Sequence, residues 1–174
     1  MPLEEEDSDT FFLLCGFIYI GSLCNRAGLT GKALDYKTLI KAWILADKYQ
    51  TPLLKNHTIN VLFDKYCWDF TLPALNDINY AFKQTAPGSL LRAALVDMVC
   101  LTIELGDVEV EALQQGAEHW NKEFMLELLK VSTTRLRLGV KMTMEDLLKL
   151  DKCVYHEHPD GVSCEVDGGD LYCA

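Results

Sequence analysis

The stretch Phe11-Phe12-Leu13-Leu14-Cys15-Gly16-Phe17-Ile18-Tyr19-Ile20 is apolar on nearly every side of a helix and stops at Gly21. A helix that is apolar all round has to be covered all round. Fully burying one such side chain contributes about 1.5–3 kcal/mol, and a soluble monomer rarely leaves so large an apolar patch in water. The stretch is shorter than the roughly 20 residues of a membrane span. It also follows Glu4-Glu5-Glu6-Asp7-Ser8-Asp9, the wrong charge for a secretory leader. We therefore read it as a buried helix, capped by Ser8 or Asp9 and ending near Ile20. It is expected to pack against 34–66 and 90–105, or against a protein partner. Phe11, Phe12, Phe17, Tyr19 and Trp43 are the candidate partner-binding residues, since aromatic side chains supply large buried area.

Helical signals continue along the chain. Leu39, Trp43, Ala46 and Tyr49 recur at three- and four-residue spacing, which predicts a helix over 34–49. Pro52 then stands at a first helical position, where its missing N–H costs nothing, and opens a helix over 53–66 that buries Leu54, Thr58, Val61 and Leu62. A loop over 67–73 leads to a short helix over 74–83. Ser89 caps a helix over 90–104, whose stripe of Leu91, Ala94, Leu95, Met98 and Leu101 is the strongest in the chain. Shorter helices are expected over 108–116, 120–131 and 143–150. No stretch alternates like a strand, so the fold class is all-α, or mainly α. Three regions follow: a helical region over 1–70, a helical extension over 71–150, and an acidic tail over 151–174 with no helical period.

The net charge of −10 resides in the two ends, while acids and bases cancel between 11 and 150. Such a chain repels phosphate backbones, so no nucleic-acid partner is expected. The basic run Arg135, Arg137, Lys141 reads as a solvated helix face. The seven cysteines are odd in number and irregular in spacing, which argues against a disulfide framework. Cys15, Cys67 and Cys100 read as reduced core residues. The expected location is intracellular, cytoplasmic or nuclear, with no membrane span.

Residues with reactive chemistry do not fall into a known arrangement. There is no phosphate-binding glycine loop, no Gly-x-Ser-x-Gly elbow and no His-Glu-x-x-His pair. His57 and His119 read as ordinary helix residues, and Glu109 and Glu111 as a solvated turn. We read the chain as a non-enzyme, with no catalytic residues. One constellation stands apart: Cys153, His156, His158 and Cys164 offer two thiols and two imidazoles within twelve residues. Zinc takes four such ligands in a tetrahedron, and four filled positions make a structural ion rather than a catalytic one. A small structural-zinc protein is therefore the alternative reading, set against a tail that merely contains Cys and His.

Leu3 to Phe11, with its acidic turn, leads into Ile18-Tyr19-Ile20-Gly21. A glycine-containing loop follows, then Leu45-Ala46-Asp47-Lys48-Tyr49 and Pro52-Leu53-Leu54-Lys55-Asn56. With these segments the chain resembles the BTB/POZ domain, and more closely the BTB-containing proteins of filamentous fungi. The resemblance covers about 3–66. Ser89-Leu90-Leu91-Arg92 and the closing Cys-x2-His-Glu-His tail extend it. It implies the helical C-terminal half of a BTB/POZ fold with additional C-terminal helices, acting as a protein–protein adaptor or scaffold. The strands and helices that open the family's domain, with their Val-His-Lys and Ser-x-x-Phe patterns, have no counterpart here. The chain is therefore expected to be a fragment, a truncated product or a divergent variant. That missing half supplies the family's sheet and much of its dimer interface, so the resemblance leaves homodimerisation and cullin assembly open here.

Overall fold

The computed structural model describes residues 8–106, 119–139, 143, 145–146 and 149–158. The protein is mainly helical, with six α-helices among the described residues and a single isolated bridge between Cys24 and Thr30 in place of any sheet. The described residues form two compact units, one of 8–69 with 152–158, the other of 70–151.

In the first unit α1 (Ser8–Ile20) is followed by a loop, then α2 (Tyr36–Lys48) and α3 (Pro52–Asp69). Gly21 ends α1 with φ 75°, and its N–H donates to the Phe17 carbonyl at 2.8 Å. In the loop the Asn25 Oδ1 accepts from the N–H groups of Ala27 (3.0 Å) and Leu29 (2.9 Å), which organises the turn. The Asp35 carboxylate caps α2 by accepting from the Thr38 N–H at 2.7 Å. At the other end of α2 the Gln50 N–H donates to the Asp47 carbonyl (3.1 Å) and the Thr51 N–H to the Ala46 carbonyl (2.8 Å), a Schellman closure. Pro52 then opens α3, as its position predicts. The core is built from Leu13 and Leu14 of α1, Leu39, Ile40 and Trp43 of α2, and Leu54, Ile59, Leu62 and Phe63 of α3.

Gln50 sits in the left-handed region at φ 51°, the place glycine usually takes. A left-handed residue with a Cβ costs roughly 1–2 kcal/mol, and glycine gives part of that back as chain entropy. Gln50→Gly is thus expected to stabilise the first unit by about 0.5–1 kcal/mol, seen as a higher urea midpoint with an unchanged slope.

The second unit holds α4 (Leu75–Gln84), α5 (Leu90–Leu105) and α6 (Lys122–Leu138). Ile78, Phe82, Val96, Val99, Cys100, Phe124 and Leu128 make one buried cluster. Phe124 meets Phe82 edge-on at 5.3 Å and stacks on Trp120 at 4.9 Å. The Asn79 side chain clamps the turn before α6, donating to the His119 carbonyl (2.7 Å) and accepting from the Asn121 N–H (2.9 Å). Asn121 in turn caps α6 through the Glu123 N–H at 2.8 Å.

Several expectations change. Ser89 precedes α5 as expected but makes no capping hydrogen bond through its side chain. α3 runs to Asp69, which shortens the loop expected over 67–73. α6 continues seven residues beyond the expected 131. Arg135 is not a solvated cation: it bridges Asp97 (2.7 Å) and Glu104 (3.4 Å) on α5. Cys15 and Cys67 are half-buried, and only Cys100 of the three is a core residue. The helix expected over 108–116, with Glu109 and Glu111, lies outside the described residues, as does Lys141. Of the helix expected over 143–150, the described part shows a reciprocal cap. The Thr143 N–H donates to the Asp146 carboxylate (2.9 Å) and the Asp146 N–H to the Thr143 hydroxyl (3.2 Å). These bonds hold the Asp146 carboxyl below its ordinary range. The tail divides differently from the region drawn over 151–174, because 152–158 belong to the first unit. No described helix is long and apolar enough to cross a membrane.

Candidate functional site

Two features of the first unit bear on function. The first is α1. Residues 10, 13, 14 and 17 share one face by helical spacing. Thr10, Leu13 and Leu14 are buried against the unit, and the Phe17 ring meets His57 of α3 at 5.3 Å. Residues 12, 15, 16 and 19 share the opposite face at the same spacing. On that outer face Cys15 and Gly16 are half-buried, while Phe12 is 42% and Tyr19 87% exposed. Ile18 and Ile20 extend the exposed surface at the C-terminal end, and Phe11 is half-buried beside it. Arg26 lies over the Phe12 ring at 5.5 Å and pairs with Asp9 at 3.1 Å. The expectation that 34–66 cover the helix holds for one stripe, whereas 90–105 form α5 of the other unit. Trp43 departs from its expected role. At 2% exposure it is a core residue of α2 and offers nothing to a partner.

The second feature is the segment 152–158, which lies along α3. A 3-10 turn over Lys152–Tyr155 is closed by the His156 N–H donating to the Cys153 carbonyl at 3.0 Å. Four successive anchors hold the segment. Lys152 pairs with Asp64. Tyr155 packs on Phe63 with ring centres 4.9 Å apart. His156 Nε2 bonds to Asn60 Oδ1 at 2.9 Å. The Asn56 amide takes both backbone groups of Glu157, donating to its carbonyl (2.9 Å) and accepting from its N–H (2.8 Å). The anchor positions 56, 60, 63 and 64 are one stripe of α3. At its end Lys55, almost fully buried, joins Asp47 (2.7 Å) and Glu157 and sits 5.1 Å from the Trp43 ring centre.

These anchors bring three of the four candidate metal ligands together. One ligating atom each of Cys153, His156 and His158 lies within 4.8 Å of the others. Cys164 lies outside the described residues. The Asn60 side chain holds the His156 ring through Nε2 and so fixes its orientation. A ring nitrogen tied back in this way is the usual arrangement behind a metal-bound imidazole. Lys55, Asn56 and Asn60 are polar, so apolar periodicity does not mark them as buried.

The other reactive groups have structural surroundings. Cys15 lies on the outer face of α1, opposite the face that touches His57. Burial pushes the Cys100 thiol up from its ordinary value, despite a contact with the Ser132 hydroxyl at 3.4 Å. The His119 carbonyl belongs to the Asn79 clamp. No protein-family model matches the chain, and no curated protein or solved structure matches it either.

Proposed function

We propose that this chain is a non-enzymatic protein–protein interaction module, similar to the BTB/POZ proteins of filamentous fungi, in which the outer face of α1 meets a protein partner. The observation that carries this reading is the second apolar stripe of α1, with Phe12 and Tyr19 exposed on it. One stripe suffices to hold a surface helix on its own unit. The exposed Phe12 and Tyr19 on a second stripe cost solubility, so their use lies in being covered. The exposed Ile18 and Ile20 widen the same patch. The raised thiol of Cys100 and the separation of Cys15 from His57 support a role without bond chemistry. The convergence of Cys153, His156 and His158 favours a second, structural role for a metal ion in the same unit.

The test uses the whole chain in light scattering and in binding of an apolar-surface dye. The wild type is expected to bind the dye or to self-associate. Phe12→Ser with Tyr19→Ser is expected to abolish that behaviour while changing the unfolding free energy by no more than about 0.5 kcal/mol, as for other exposed sites. A clean wild-type monomer that binds no dye would remove the basis for the proposal.

A further inference from the structure

We infer that Cys153, His156 and His158 bind one zinc ion, with Asn60 as the residue that positions His156, and that the ion fixes the turn of 152–158 against itself. Three arguments carry this, and none depends on the role given to α1.

The local backbone aims the donors at one point. The turn that brings the His156 N–H to the Cys153 carbonyl folds the thiol back toward the imidazole three residues on. Beyond it the chain is no longer helical, and residues two apart in extended backbone point to the same side, as His156 and His158 do. Their ring centres are 5.8 Å apart. In a tetrahedral zinc site with bonds of about 2.0–2.3 Å, neighbouring ligand atoms stand about 3.5 Å apart. The 4.8 Å bound on the present cluster thus calls for movements of about 1 Å, within the reach of side-chain rotation.

The site is also built before any ion arrives. Tyr155 on Phe63 and the paired Asn56–Glu157 bonds hold the backbone on both sides of the imidazoles. Asn60 then holds the ring of His156 in a fixed orientation. Preorganisation of this kind reduces the ordering cost of binding.

The donor set selects the ion. One thiolate and two imidazoles suit zinc, whereas calcium and magnesium take oxygen donors. On binding, the Cys153 thiol releases its proton to solvent and ligates as Sγ thiolate.

Purified full-length protein, stripped of metal and kept reduced, is titrated with zinc chloride and separately with cobalt chloride. One equivalent of zinc is expected to bind. Cobalt is expected to give a thiolate-to-metal charge-transfer band. Cys153→Ser should abolish that band, and Cys153→Ser with His158→Ala should abolish stoichiometric zinc binding, with helical circular dichroism retained. Asn60→Leu should keep the stoichiometry and weaken affinity about 10–100-fold, as loss of an outer-shell partner does. Absence of stoichiometric binding by the folded wild type overturns the inference. So does a charge-transfer band that survives Cys153→Ser, or an affinity that Asn60→Leu leaves unchanged.

Discussion

Replacing Arg92 by alanine is expected to cost the second unit about 2–4 kcal/mol, because it leaves the Phe82 and Thr85 carbonyls without their donor, at about 1–3 kcal/mol for a buried group. Arg92 stands near the start of α5 with its side chain 3% exposed. Its guanidinium spans the C-terminal end of α4, donating to the Phe82 carbonyl (2.5 Å), to the Thr85 carbonyl, and to the Thr85 hydroxyl (3.0 Å). It also reaches Glu123 of α6 at 2.6 Å and Glu127 at 3.9 Å, and lies over the Phe82 ring at 4.6 Å. The last carbonyls of a helix have no partner within it, so these bonds act as the cap of α4. Glu123 and Glu127 keep access to water and recover part of what they lose. The Phe82 carbonyl recovers little, because its surroundings are the buried cluster. Most of the loss therefore belongs to the α4 end. Arg92→Lys keeps the charge but not the planar fork, so one ammonium has to choose among four acceptors, and a loss of about 1–2 kcal/mol is expected. Urea unfolding combined with hydrogen exchange at α4 amides measures both. An alanine variant within 1 kcal/mol of wild type, on the scale of an ordinary exposed site, would show that the network contributes nothing net.

What the sequence disclosed and what it hid follow from one distinction. Helix ends were legible at Gly21, at Pro52 and just before Leu90, because each stop or start is written in one or two neighbouring residues. The closeness of Cys153, His156 and His158 was legible for the same reason. The full length of α6 was not. Past Leu128 it meets α5 through Ser132, beside Cys100, and through Arg135, between Asp97 and Glu104. Polar residues on a packed face leave no apolar period to follow. The docking of 152–158 was hidden more deeply. Its anchors are side chains on α3 about a hundred residues earlier, and half of what they hold is backbone, which carries no sequence signal at all. Asp47, read as part of a recognition motif, belongs to the same scheme through Lys55. The resemblance likewise marked Ser89-Leu90-Leu91-Arg92 without indicating that Arg92 caps its neighbour.

Tyr155→Ala is expected to detach the C-terminal segment from α3 while leaving the helices of the first unit folded. Tyr155 is the one large apolar side chain the segment buries, and it rests on Phe63. Truncating a buried aromatic typically costs about 3–5 kcal/mol. Here the loss has a ceiling, because the segment can leave α3 without unfolding anything else. The observed change cannot exceed the free energy of docking itself. That docking rests on the Tyr155 contact, the His156–Asn60 bond and the two Asn56–Glu157 bonds, with ion pairs at Lys55 and Lys152 that solvent weakens. At about 1 kcal/mol per hydrogen bond, the polar contacts alone leave the docked state only marginally favoured once the segment's chain entropy is counted. Hydrogen exchange at the Glu157 and His156 amides is therefore expected to accelerate by about 100-fold, equivalent to about 2.7 kcal/mol, with the amides of α2 and α3 almost unchanged. Tyr155→Phe keeps the ring and should retain most of the protection. If the alanine variant instead exposes α3 amides together with 155–157, the segment is part of the unit's cooperative core. If protection at Glu157 is unaltered, the Asn56 clamp alone holds this segment on α3.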